Sequence, residues 1–179
     1  QAINVPESIA SILVSRGINT FDEAKVFFRP SLELLHPPAL MSDMDIATTR
    51  IRTALEQGEL IAVYGDYDVD GTTSTAMMTL FLRSLGANVA YHIPNRFTEG
   101  YGLTIPSLDR LFGNEQGKPA LLIAIDCGIT AIEAVAHARS KNVDVIICDH
   151  HEPTDPLPPA NPILTPIKKG CPNPYNHLF

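Results

Sequence analysis

The chain has 179 residues, of which 45% are hydrophobic and 18% charged, a globular balance for one ordinary domain with a small extension. No apolar run approaches the roughly 20 residues that cross a bilayer, and Gln1-Ala2-Ile3-Asn4-Val5-Pro6 has neither the basic nor the apolar region of a signal peptide. A net charge of −7 argues against gripping nucleic acid through a broad basic face, but not against carboxylates that hold divalent ions, which then bind phosphate.

With no initiator Met, the chain reads as beginning inside a longer one. Residues 6–28 predict two short helices; Thr20 and Glu23 have capping-box spacing, and Phe21, Ala24, Phe27 and Phe28 supply an apolar face. Pro30, Pro37 and Pro38 punctuate a linker. A third helix is expected from Ser42, with Asp45 three residues on, burying Ile46, Ile51, Ala54 and Leu55 and stopping at Gly58. Four apolar runs, 60–65, 88–94, 120–126 and 144–150, then alternate with helices over roughly 72–85, 105–112 and 130–140. Gly86 and Gly113 are stops, and Thr130 with Glu133 is another capping box. This alternation predicts an α/β fold, a doubly wound and mainly parallel sheet with right-handed crossovers, preceded by a helical extension over residues 1–40.

Eight of the fifteen prolines fall between Pro153 and Pro174, so the tail reads as extended and loop-rich. Cys127, Cys148 and Cys171 form no CxxC pair. The first two sit in or beside apolar runs and read as reduced core residues, which fits a cytoplasmic setting.

The chemistry concentrates where strands end. After the first strand comes Gly65-Asp66-Tyr67-Asp68-Val69-Asp70-Gly71. On an extended segment, acids at i, i+2 and i+4 project to one side, and their mutual repulsion is relieved by a bound cation. Hard ions such as Mg²⁺ and Mn²⁺ favour oxygen ligands, and Mn²⁺ also accepts imidazole. A calcium EF-hand needs a bidentate Glu at the twelfth loop position, which is Met77 here, and needs a preceding helix. A solvated acidic turn is the plainer alternative. Asp126-Cys127-Gly128 ends the third strand; Asp126 reads equally as a ligand or as the cap of the next helix. Asp149-His150-His151-Glu152 ends the fourth, and alone would read more often as surface than as ligand. Open parallel sheets bind ligands beyond the carboxyl ends of their strands, and all three groups fall at that edge. Their joint placement favours a metal site. His92 and His137, on a predicted strand and helix without acidic neighbours, are left outside it.

These residues resemble the DHH phosphoesterase superfamily, and within it the RecJ-type exonucleases, over nearly the whole chain. The resemblance rests on Val63 to Ser74, on Ile93-Pro94-Asn95-Arg96 with Glu99-Gly100-Tyr101-Gly102-Leu103, on Asp126-Cys127-Gly128 and on Asp149-His150-His151. The opening helices and the proline-rich tail from Asn161-Pro162 to Cys171-Pro172 share it. It implies a DHH catalytic domain over residues 41–179, incomplete at its C-terminus. The implied activity is 5′→3′ hydrolysis of single-stranded DNA to 5′-mononucleotides with Mn²⁺ or Mg²⁺, in DNA repair and recombination. Asp66 and Asp68 would hold mainly one ion, Asp70 and His150 the other, and Asp126 would bridge them. His151 would sit by the scissile phosphate. The family also implies a further aspartate ligand and a cleft-closing domain beyond Phe179. Without them, a weak second ion and poor or absent activity are expected. Beyond single-stranded DNA, a single-strand-binding protein or a helicase is the implied partner, and no membrane is.

In that scheme two ions about 4 Å apart activate water and stabilise the attacking and leaving oxygens. Arg96, a planar fork at the strand edge, is a candidate phosphate contact, with an ordinary surface role as its alternative. Tyr67 and Tyr101 offer faces for bases but equally fit packing, and Gly102 offers either close backbone approach or turn geometry. Two rivals remain. One is a relative acting on short oligonucleotides, cyclic dinucleotides or pyrophosphate, whose opening motif often starts with His where this chain has Asp66. The other is a degenerate DHH scaffold that binds DNA or replication proteins, against which the intact ligand positions weigh.

Overall fold

The computed structural model describes residues 4–174. The chain divides into two compact units between Pro37 and Pro38. In the first, α1 (Glu7–Ser15) and α2 (Phe21–Phe28) are joined by a turn. Thr20 and Glu23 form the expected capping box, Glu23 Oε2 accepting from Thr20 N at 2.9 Å and Thr20 Oγ1 from Glu23 N at 3.2 Å. Of the predicted apolar face only Ala24 is buried; Phe21, Phe27 and Phe28 are about half exposed, because two helices of nine and eight residues enclose little volume.

The second unit is a five-stranded, wholly parallel sheet in the order β2-β1-β3-β4-β5, with β1 at Leu60–Gly65, β2 at Asn88–His92, β3 at Leu121–Ile125, β4 at Asp144–Cys148 and β5 at Ile163–Leu164. Alternation along the strands builds two cores. Ala62, Tyr64, Leu122, Ala124, Val145 and Ile147 face α5 (Ile105–Phe112) and α6 (Ile132–Ser140). Ile61, Val63, Leu121, Ile123 and Ile146 face α3 (Met44–Gln57) and α4 (Val69–Ser84). With both faces covered, β1 and β3 carry no charged residue, which is the signature of a parallel sheet.

Four local readings need correction. α3 starts at Met44 after Asp43, whose carboxylate is turned to Lys168 Nζ at 2.6 Å, and it buries Ala47 and Ala54 while Ile46 stays exposed. Thr130 and Glu133 make no capping box, because the N-cap is Ala131. Cys148 emerges at the surface although Cys127 is buried. The proline-rich tail contributes β5, which a run of prolines conceals: Ile147 N donates to Pro162 O at 3.2 Å and Asp149 N to Leu164 O at 3.0 Å.

The β1–α4 junction is closely packed. A Cβ on Gly71 would fall 2.4 Å from Asp66 O and 2.5 Å from Asp66 N, and one on Gly65 would fall 2.5 Å from Gly71 O. Around Gly71 backbone presses on backbone, and at Gly65 the Thr75 hydroxyl adds to the crowding. Gly71→Ala should therefore cost about 3 kcal/mol or more in a urea melt. A cost below about 1 kcal/mol would mean that the junction yields.

Candidate metal centre

The strand order 2-1-3-4-5 reverses direction between β1 and β3, and the crevice beyond their carboxyl ends is where open α/β sheets take ligands. Asp66 follows β1 and Asp126 follows β3, so the two carboxylates straddle that crevice. Both are buried, at 0% and 7% exposure, and the Oδ2 atom of each is buried without a hydrogen-bond partner. Buried carboxylate oxygens are costly unless compensated, and two carboxylates at neighbouring strand ends are suited to holding a cation.

Asp126 takes a left-handed backbone, φ 61°, which Asp tolerates better than most residues and which costs about 1 kcal/mol. Its N–H still donates to Cys148 O at 2.9 Å, which ties the turn to β4. Its Oδ1 lies 3.0 Å from His150 Nε2, and donor atoms of Asp126, His150 and His151 all lie within 4.8 Å of one another. Burial, then the charge of Asp68, pushes the Asp126 carboxyl above its ordinary value, against the pull of both histidines.

Asp149 organises this cluster from below. It is 5% exposed, and its Oδ2 accepts from Ile129 N at 2.9 Å. Its Oδ1 accepts from His151 N at 3.1 Å and from His151 Nδ1 at 2.7 Å. That bond raises the His151 imidazole above its ordinary value and commits Nδ1, leaving Nε2 for other work.

The aspartate triplet is not the extended array that its spacing suggests. α4 begins at Val69, so Asp68 is its N-cap, with Oδ1 accepting from Gly71 N at 2.9 Å, and Asp70 lies in its first turn. Val69, Asp70 and Gly71 are weak helix formers, but the cap and the close packing of Gly71 outweigh propensity. The consequence is a division among the three. Asp66 is buried, whereas Asp68 and Asp70 are exposed at a helix N-terminus, whose partial positive charge favours them. Asp68 is close enough to act electrostatically on Asp126 and His151. His151, expected only beside the phosphate, stands within ligand reach together with Asp126 and His150.

Arg96 stacks on Tyr67, its guanidinium carbon 5.0 Å from the ring centroid and 5.8 Å from that of Phe97. Tyr67 meets Tyr101 edge to face at 5.9 Å. Partial burial of the hydroxyl and the charge of Asp66 push the Tyr101 phenol above its ordinary value, so this aromatic rim adjoins the aspartates. Gly102, read as either a close-approach or a turn position, is buried in a left-handed turn with its carbonyl accepting from Tyr64 Oη at 2.8 Å; it anchors the loop. His92 and His137 do have acidic neighbours, Glu99 at 2.5 Å and Asp109 at 2.7 Å, brought in by the fold from seven and twenty-eight residues away. Sequence reasoning missed Glu99 and the support that Asp149 gives; only the motif letters around each hinted at them.

Residues 60–173 match the N-terminal domain of the DHH family, well over half of the chain. The chain belongs to the DHH family. It is 38% identical over 178 residues to the single-stranded-DNA-specific exonuclease RecJ of Bacillus subtilis, an alignment that takes in 99% of this chain and 22% of that protein. A crystal structure of exonuclease RecJ bound to manganese superposes with a TM-score of 0.66 and 34% identity, over 73% of this chain and 32% of that one. RecJ from Thermus thermophilus in complex with Mn²⁺ gives 0.64 and 30%, over 86% and 20%. The chain thus spans between a fifth and a third of the length of these relatives. Among the described residues no helix is long and apolar enough to cross a membrane.

Because the folded-state value of Asp126 lies above the unfolded one, its ionised form costs stability at neutral pH, and the cost fades as pH falls through the raised value. In metal-free protein, Asp126→Asn should therefore melt a few degrees higher than the parent at pH 7, with the gain shrinking on acidification. A variant that melts lower at pH 7 would show the carboxylate to be already compensated.

Proposed function

We propose that the chain is the metal-binding part of a 5′→3′ exonuclease that hydrolyses single-stranded DNA to 5′-mononucleotides with Mn²⁺ or Mg²⁺, in DNA repair and recombination. The observation that carries this reading is the cluster of Asp126, His150 and His151, whose donor atoms lie within 4.8 Å of one another at the sheet's switch point, where Asp66 also ends a strand. The donor set fits the ions: carboxylate oxygens with one or two imidazoles suit Mn²⁺, and the carboxylates alone suit Mg²⁺. In this reading Asp66 and Asp68 would hold mainly one ion and Asp70 and His150 the other, with Asp126 a ligand common to both. Such ions would supply a lowered pKa for bound water and positive charge against the phosphodiester.

The protein's own groups have separate tasks. His151, oriented through Nδ1 by Asp149, faces the scissile phosphate as a proton donor or hydrogen-bond donor. Arg96 supplies positive charge to the phosphate oxygens and Tyr101 a face for a base, with Gly102 holding the loop that carries them. The residues before about 40 form the helical extension and those after it the catalytic domain. Three unpaired cysteines support a reducing, cytoplasmic setting, and a single-strand-binding protein or a helicase is the partner that would present the strand.

Calorimetric titration of the full-length protein with Mn²⁺ should show binding that Asp68→Ala and Asp126→Ala each weaken; heat-silent titration of folded protein overturns the reading. On a long 5′-phosphorylated single strand, His150→Ala should lower kcat/KM by about 100-fold or more. Faster hydrolysis of a dinucleotide than of the long strand would reassign the substrate to short oligonucleotides.

A further inference from the structure

Resting on the reading of the site as one for single-stranded DNA, we infer that Glu99 is a positioning residue for the substrate: its buried carboxylate clamps the 95–104 loop so that Arg96 and Tyr101 stand at the rim of the metal centre. The Glu99 side chain is only 3% exposed. Its Oε2 accepts from His92 Nε2 at 2.5 Å and its Oε1 from Arg110 Nη1 at 3.0 Å. One carboxylate thus joins the end of β2, the loop and α5. The same residue's backbone is also held, with N donating to Asn95 O at 2.8 Å and O accepting from Thr104 Oγ1 at 2.9 Å.

The far end of the loop is fixed independently. Thr104 caps α5 in a capping box with Ser107. Tyr64 Oη, rising from β1, donates to Gly102 O and lies 2.8 Å from Ser107 Oγ. The His92 ring packs on Tyr64 with centroids 5.4 Å apart. Buried polar groups are costly unless fully paired, so a carboxylate driven into the interior of a surface loop marks a place where loop position is worth that cost.

What the clamp holds outward is chemically apt for a nucleic-acid strand. Phe97 is 89% exposed and Tyr101 64%, and Arg96 lies over the ring of Tyr67, which sits within the aspartate segment. Neither Glu99, His92 nor Arg110 belongs to the carboxylate–histidine cluster, so their effect on it passes through the loop. Displacing a contact by about 1 Å is enough to cost orders of magnitude in positioning-dependent steps.

The discriminating variant is Glu99→Gln, which keeps the shape and loses the charge. In the full-length protein we expect KM for a 5′-phosphorylated single strand to rise about 10-fold, kcat to change less than about 2-fold, and Mn²⁺ affinity by calorimetry to stay at the parent value. Arg110→Gln, on a side chain 62% exposed, should give the same split at smaller size even if Glu99→Gln proves unstable, and Arg110→Lys should restore part of it. Strand binding is read separately by fluorescence anisotropy. A parent protein that binds the strand without cutting it overturns the hydrolase reading, and the Glu99→Gln binding ratio then decides the present claim. Unchanged KM and unchanged strand affinity in these variants overturn the positioning role. So does a parallel loss of Mn²⁺ affinity, which would make Glu99 a general support of the fold.

Discussion

Like charges gathered in a crevice that is half closed to water set the terms for the rest of this molecule. The ends of β1 and β3 deliver Asp66 and Asp126 to the same gap, and the cap of α4 adds Asp68 close enough to disturb Asp126. A protein optimised for stability alone would replace these groups or pair each with a cation of its own. Instead, one oxygen of each buried carboxylate is left without a partner, while the neighbouring polar atoms of Asp149 are fully engaged.

Holding that arrangement apart from collapse requires stiffness nearby, and the fold supplies it by backbone contact more than by side chains. Gly65 and Gly71 bring the strand end and the helix start into direct contact, so the two aspartates on either side of the turn cannot drift. Asp126 is held in a conformation that most residues avoid, by a main-chain bond to β4. His150 and His151 ride on the same strand end, steadied by Asp149 and by β5. Each ligand candidate therefore has a main-chain anchor within a residue or two. That is how a site built from short loops keeps its geometry.

Much of this was legible in the letters. The apolar runs of β1 and β3 are unmistakable because burial on both faces leaves no charged residue in them, β4 carries its charge only at its exposed first residue, Asp144, and acids that follow such runs fall at the sheet edge. The helix over 105–112, with Gly113 as its stop, was legible in full. What could not be read depended on distance in space. The start of α4 was hidden because Val69, Asp70 and Gly71 disfavour helix taken singly, and the packing that overrides them involves Asp66. β5 was hidden by prolines whose carbonyls still accept hydrogen bonds. The pairing of Glu99 with His92 and Arg110 joins a strand, a loop and a helix, and no local pattern announces it.

The short strand β5 has a consequence for how the domain comes into being. Its two residues follow all the other elements of the sheet in sequence, yet they receive the main-chain donor of Asp149, and Lys168 just beyond reaches back 125 positions to Asp43. During synthesis the first four strands can therefore assemble while the histidine-bearing turn is still unmoored. The last lock on the cluster closes only when the trailing segment has left the ribosome and folded across the sheet edge. A nascent chain of this kind has its aspartate segment in place early and gains the anchor of its histidine-bearing turn last.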